Sequence, residues 1–78
     1  MHFVYVIQSG RTGRVYIGQS EDIEARLLMH NARRVISTRE DVPWFVLKTE
    51  SFPTQSAARW QERRLKRSRG TRLKWLRP

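Results

Sequence analysis

Two tyrosines, an arginine, a histidine and one glutamate are spaced along this 78-residue chain as groups that can act together on a phosphodiester. Tyr5 closes Phe3-Val4-Tyr5, and Tyr16 opens Tyr16-Ile17-Gly18. Arg26 and His30 are four residues apart, and Glu62 stands in a basic stretch. A phenol acidified by a nearby cation can take a proton from water. A guanidinium clamps a non-bridging phosphate oxygen and offsets charge that grows in the transition state. An imidazole shuttles a proton or hydrogen-bonds the phosphate. A lone carboxylate suits Mg²⁺, which takes one or two protein carboxylates and completes its shell with water and substrate oxygens. Each residue alone has a plainer reading. Strand tyrosines pack, a helix arginine is solvated, a single histidine packs or caps, and Glu62 can pair with Lys66 at i,i+4. Their coincidence on one basic chain carries the argument.

The charge balance names the partner class. There are 16 Lys+Arg against 7 Asp+Glu, a formal net charge of +9 and a pI near 11.5. Such charge speaks to partners rather than to fold, and nucleic acid is the natural polyanion. The excess is concentrated late: from Arg59 onward only Glu62 opposes nine basic residues. Arg63, Arg64 and Arg67 are the candidates for phosphate contacts. Trp44, Trp60 and Trp75 could stack on bases, although core packing is the better reading for Trp44 and Trp75. There is no Cys, which excludes disulfides and thiolate metal sites and agrees with a cytoplasmic setting. No stretch is apolar for long enough to span a bilayer, and no apolar leader is apparent. No zinc-ligand spacing, phosphate-loop glycine pattern or Ser/His/Asp arrangement is visible.

The elements that must position these groups follow from patterning. The length predicts one domain over 1–78 with one modest core. Phe3 to Ile7 is β-branched and aromatic, and Arg14 to Gly18 reads as its returning strand. The turn between them offers two glycines for positive φ. Pairing Gln8 with Gly13 would set Tyr5 directly opposite Tyr16, on a shared face, whereas a one-residue slip would put them on opposite faces; sequence favours the first without fixing it. Ser20 is the expected N-cap of a helix to about Asn31, with Ile23, Leu27 and Leu28 as its apolar stripe. Arg26 and His30 share one face of that helix, at the edge of the core. Asn31 reads as a helix C-cap. Residues 32–42 are polar and irregular, and Trp44 to Thr49 is a third strand. Thr54 or Ser56 caps a second helix whose inward stripe is Ala58, Glu62 and Leu65. Thr71 caps a short last helix. The order β-β-α-β-α-α predicts an α+β fold, a small three-stranded antiparallel sheet flanked by helices.

With these motifs in hand, the chain resembles the GIY-YIG nuclease family, and most of all its small single-domain bacterial members. Phe3-Val4-Tyr5 stands for the first motif and Tyr16-Ile17-Gly18 for the second. Asp22 to Leu27 with His30-Asn31 is similar to the family's arginine-bearing helix. Ser37-Thr38, Pro43-Trp44 and the helix reaching Glu62 and Lys66 complete the likeness, from Phe3 to about Leu76. The departure is Phe3, where the first motif has Gly. The resemblance implies hydrolysis of DNA phosphodiesters assisted by one divalent metal, Mg²⁺ or Mn²⁺. By position, Tyr5 or Tyr16 would be the base or would place the attacking water, and Arg26 would stabilise the transition state. His30 would assist proton transfer, Glu62 would hold the metal, and Asn31 would support the site. Relatives usually gain target choice from an attached DNA-binding domain, so a partner chain conferring specificity is expected. The competing expectation is a non-catalytic nucleic-acid-binding module on the same fold.

Overall fold

The structure, a computed structural model, describes residues 1–77. In chain order it has β1 (His2–Ser9), β2 (Val15–Ser20), α1 (Ile23–Asn31), one 3-10 turn (Arg39–Asp41), β3 (Trp44–Phe52), α2 (Gln55–Arg67) and α3 (Arg69–Leu76). The strands form one open antiparallel sheet in the spatial order β2-β1-β3. This is the predicted α+β arrangement, with β3 running three residues further than its pattern indicated.

The central place of β1 explains its unbroken apolar run. Both faces are covered, so Val4, Tyr5, Val6 and Ile7 are all buried, where a half-exposed strand would alternate. On one face Val4, Val6 and Ile17 meet Ala58 and Leu65 of α2, with Trp75 and Leu76 of α3 packed alongside. On the other face Tyr5, Ile7 and Trp44 meet Tyr16, Ile23 and Leu27. The chemistry-bearing tyrosines therefore lie under α1.

The hairpin register differs from the expected one by two residues. Gln8 pairs with Val15, so Tyr5 faces Gly18 and Tyr16 faces Ile7. A slip of two keeps every side chain on its face. The tyrosines remain neighbours, now diagonal, with ring centroids 6.5 Å apart. Only Gly13 of the turn glycines takes positive φ, at 77°.

The helix ends are settled by local chemistry. Asp22, not Ser20, caps α1: its side chain accepts from the Ala25 amide. Ser20 instead exchanges hydrogen bonds with the Asp22 backbone just before the helix. At the other end Ala32, not Asn31, is the C-cap. Arg33 takes the left-handed conformation at φ 62°. Its amide donates to His30 O, and the Arg34 amide reaches back to Met29 O. These are the two bonds of a Schellman close. Leu28 is 71 % exposed, so the inward stripe of α1 is Ile23, Leu27 and His30. Thr54 caps α2. Ser68 ends α2 and caps α3, accepting from the Thr71 amide, which places Thr71 inside the helix it was expected to begin.

Candidate active site

The site is built on the α1 face of the sheet. Tyr5 is directed across the strand pair, over Gly18. A Cβ on Gly18 would come within 2.5 Å of the phenol oxygen and 2.6 Å of Cζ. Glycine in the Tyr16-Ile17-Gly18 motif is thus the clearance for the other tyrosine's ring. Tyr16 packs beside it, edge-on to His30 with centroids 5.1 Å apart.

His30 is the one fully buried residue of α1, deeper than the core-edge position its helix phase suggests. Both ring nitrogens are engaged. Nε2 shares a hydrogen bond with the Tyr5 hydroxyl at 2.9 Å, and Nδ1 one with the Thr38 hydroxyl at 2.7 Å. Thr38, also fully buried, has a longer contact to Val35 O at 3.4 Å, and its own carbonyl accepts from Trp44 Nε1 at 2.9 Å. A buried polar run from Tyr5 through His30 to Thr38 results, with its members satisfied inside the protein.

The irregular segment before β3 holds Thr38 in place. Ser9 Oγ donates to Asp41 O and accepts from the Arg11 and Thr12 amides. Arg14 bonds Ser37 O at 2.6 Å and pairs with Asp41 at 2.7 Å. Arg11 donates to Glu40 O. The hairpin tip therefore fastens residues 37–41 over the site. Asn31 supplies a second fastening: its Oδ1 accepts from the Trp44 amide at 2.6 Å, and its Nδ2 donates to Trp44 O at 3.1 Å. The side chain imitates a neighbouring strand and binds α1 to the start of β3.

The electrostatics follow from burial. Burial pushes the Tyr5 phenol above its ordinary pKa of 10.0, the nearby Arg26 guanidinium pulls it back, and the Tyr16 and Glu62 charges push it further up. Burial, followed by the Arg26 charge, lowers His30 to about 4. At neutral pH the pair is therefore a neutral phenol and a neutral imidazole. The Arg26 charge reaches both Tyr5 and His30. The structure gathers Tyr5, Tyr16 and His30 in direct contact on the α1 face, while Glu62 stands on α2 with Gln19 and Lys66 as its partners.

Glu62 lies beside the inward stripe of α2 rather than in it. Its carboxylate is 16 % exposed and pairs with Lys66 at 2.7 Å. Gln19 Nε2 donates to it at 3.0 Å. The buried stripe is Ala58, Gln61 and Leu65. A helical repeat of 3.6 places the stripe centre between 61 and 62. Glu50 on β3 decides which goes under, by accepting from Gln61 Nε2 at 3.1 Å. Among the described residues no group of three or more His, Asp or Glu side chains is arranged to hold a metal ion. The donor set is one partly buried carboxylate. It fits a hard cation that takes most of its ligands from water and substrate, and does not fit a resident ion caged by protein.

Arg63, Arg64 and Arg67 are exposed on α2, and Arg64 lies over the Trp60 ring. Thr38 and Gln61 are the residues sequence reasoning missed. Thr38 had a signal, since it stands in one of the segments carrying the family likeness. Gln61 had only the helical phase.

A small antiparallel sheet with two tyrosines, an arginine and a buried histidine gathered on one face, and helices on both, is a nuclease-type fold. Residues 1–74 match the GIY-YIG catalytic domain, and the chain belongs to that family. It is 39 % identical over 67 residues to a UPF0213 protein of Halobacterium salinarum, covering 85 % of this chain and 86 % of that one. No solved structure matches the chain. No helix of the described residues is long and apolar enough to cross a membrane.

Proposed function

We propose that this protein is a divalent-metal-dependent endonuclease that hydrolyses DNA phosphodiester bonds with little sequence specificity of its own. The observation that carries this reading is the hydrogen-bond run from Thr38 through His30 to Tyr5, ending in a buried phenol on which Arg26 and Glu62 both act.

The hydroxyl of Thr38 has an acceptor beyond it in Val35 O. The run is satisfied with donors ordered Tyr5 to His30 to Thr38 to Val35, and this is the direction we assign. The lone pairs of the Tyr5 oxygen then face away from His30. As the water oxygen bonds to phosphorus and the P–O bond to the leaving strand breaks, Tyr5 accepts a proton from the attacking water and its own proton passes to His30 Nε2. The departing oxygen takes a proton from solvent, and His30 returns its proton through Tyr5. His30, enclosed and with both nitrogens engaged, acts through Tyr5 and positions it rather than touching phosphate. The resting charge states oppose this transfer, because His30 holds a proton weakly. A phosphate paired with Arg26 offsets the guanidinium charge, one of the two causes that lower His30. Substrate binding therefore favours the transfer it requires. Arg26 also offsets the charge of the five-coordinate transition state. Tyr16 lines the same face and orients the water. Glu62 would hold Mg²⁺ or Mn²⁺ after exchanging Lys66, and the bound ion supplies Lewis-acid polarisation of the phosphate. Asn31 supports the site by fixing Trp44. Arg63, Arg64 and Arg67 neutralise backbone phosphates. Target choice comes from a partner chain, and the lack of Cys supports work in the cytoplasm.

The Lys66–Glu62 ion pair favours a second reading, a non-catalytic nucleic-acid-binding module. One assay separates the two. Supercoiled, single-stranded and branched DNA are incubated with Mg²⁺ or Mn²⁺ and either wild type or Glu62→Ala. Cleavage that disappears in the variant while DNA binding persists supports the nuclease. Binding by wild type without cleavage of any substrate would replace it with the binding module.

A further inference from the structure

The flank of α2 turned away from Glu62 carries an exposed indole and a cavity that the proposed cleavage does not use. They lie beside Arg64 and Arg67, which the proposed function assigns to backbone phosphates. Trp60 and Glu62 are two residues apart, about 200° around the helix. Trp60 is 61 % exposed. Arg64, one turn on, sets its guanidinium 4.7 Å from the indole centroid and so backs one face of the ring. Arg64 Nη1 also donates to Gln61 Oε1 at 3.0 Å. Gln61 is nearly buried and is itself anchored on Glu50. The cation is thus fixed between the ring and the interior. Beside it, between α2 and α3, lies a cavity of about 370 Å³ lined by Gln61, Arg64, Thr71, Lys74 and Trp75. The lining has two cations, a carboxamide, a hydroxyl and an indole, and no carboxylate. Trp75 Nε1 donates to Glu50 at 2.8 Å, which ties the cavity wall to β3.

An exposed aromatic ring joined through Arg64 to a cationic pocket is complementary to a nucleotide that is not stacked in a duplex. The base offers a π-face and the phosphate an anion. A paired base is already covered on both faces by its neighbours and cannot reach the indole. We propose that this surface binds single-stranded nucleic acid, one base stacking on Trp60 and its phosphate entering the cavity beside Arg64, Lys74 and the Thr71 hydroxyl. Arg67, at i+7 from Trp60 on the same flank, extends the track. The inference rests on reading the chain as acting on nucleic acid. It narrows the substrate to DNA or RNA that carries an unpaired strand.

The test is binding without cleavage. Anisotropy in EDTA is measured for fluorescein-labelled oligothymidylate, oligouridylate and a duplex of equal length, with wild type, Trp60→Ala and Trp60→Phe. The expected result is a loss of about tenfold for a single strand in Trp60→Ala, with the duplex changed less than twofold and Trp60→Phe close to wild type. A loss confined to oligothymidylate or to oligouridylate identifies the strand as DNA or RNA. Equal loss for single strand and duplex, or no loss for either single strand, overturns the proposal. Because no metal is present, a failure to cleave in the plasmid assay leaves this result standing, so the two readings fail separately.

Discussion

Burial of His30 gives this protein a distinct sensitivity to acid. His30 is neutral when folded, with a pKa lowered from 6.5 to about 4. In the unfolded chain it regains the ordinary value. Between pH 6.5 and 4 the unfolded state therefore binds a proton that the native state does not. Stability falls as pH drops through that window, is independent of His30 above it, and has lost the whole contribution below it. At about 1.4 kcal/mol per tenfold change in proton affinity, the loss is about 3 kcal/mol. A chain of this length has a total stability of roughly 4–12 kcal/mol, so the loss is a large share. The assay is urea unfolding followed by far-ultraviolet circular dichroism at steps from pH 7 to pH 4, on wild type and His30→Gln. Other groups titrate in both proteins. Only wild type carries the His30 contribution, so its stability advantage over the variant should shrink by about 3 kcal/mol across the window. Parallel curves would refute the reasoning. Should the variant fold poorly, a proton NMR titration of wild type gives the same answer once the two imidazoles are assigned with a His2→Gln variant: a His30 ring titrating near 6.5 rather than near 4 contradicts the enclosed Tyr5–His30–Thr38 run.

Three further outcomes are expected. Gly18→Ala drives a methyl into the Tyr5 ring, which is buried and bonded to His30; it should cost about 1–3 kcal/mol by urea unfolding and cut any cleavage activity. Asn31→Ala removes both side-chain bonds to the Trp44 backbone. A drop of roughly 1–3 kcal/mol is expected, and an unchanged unfolding midpoint would show that these bonds hold nothing. Replacing Arg63, Arg64 and Arg67 together by Ala should flatten the slope of log affinity for duplex DNA against log salt by about 3, near 0.9 for each phosphate no longer neutralised; an unaltered slope would move the duplex footprint elsewhere.

Much of the fold was legible because local rules and tertiary demands agree. The β-branched run of β1, Gly13 in the turn, Thr54 at the start of α2 and the proline before β3 each favour one backbone state, and the fold needs those same states. The shared face of Tyr5 and Tyr16 was favoured but not fixed by sequence, since a one-residue slip would part them and β1 is buried on both faces; the observed register decides it. Where neighbouring residues were chemically equivalent, sequence left the choice open. Ser20 and Asp22 can both cap, and Gln61 and Glu62 straddle one stripe.

The residue types and their order along the chain thus determined the sheet, the flanking helices and the set of groups available for chemistry: two phenols, a guanidinium, an imidazole and a carboxylate on a cationic chain. Only the tertiary structure decided how deep each one sits and what lies behind it. Helical spacing put Arg26 and His30 on one face, but the crossing of α1 over the sheet sealed His30 between Tyr5 and Thr38 and so set its charge state. The hairpin tip, pinned by Arg14 to Asp41, carried Thr38 to that histidine from eight residues away. Burial and hydrogen-bond partnership are properties of the meeting of distant segments, and the order of residues within any one segment does not contain them.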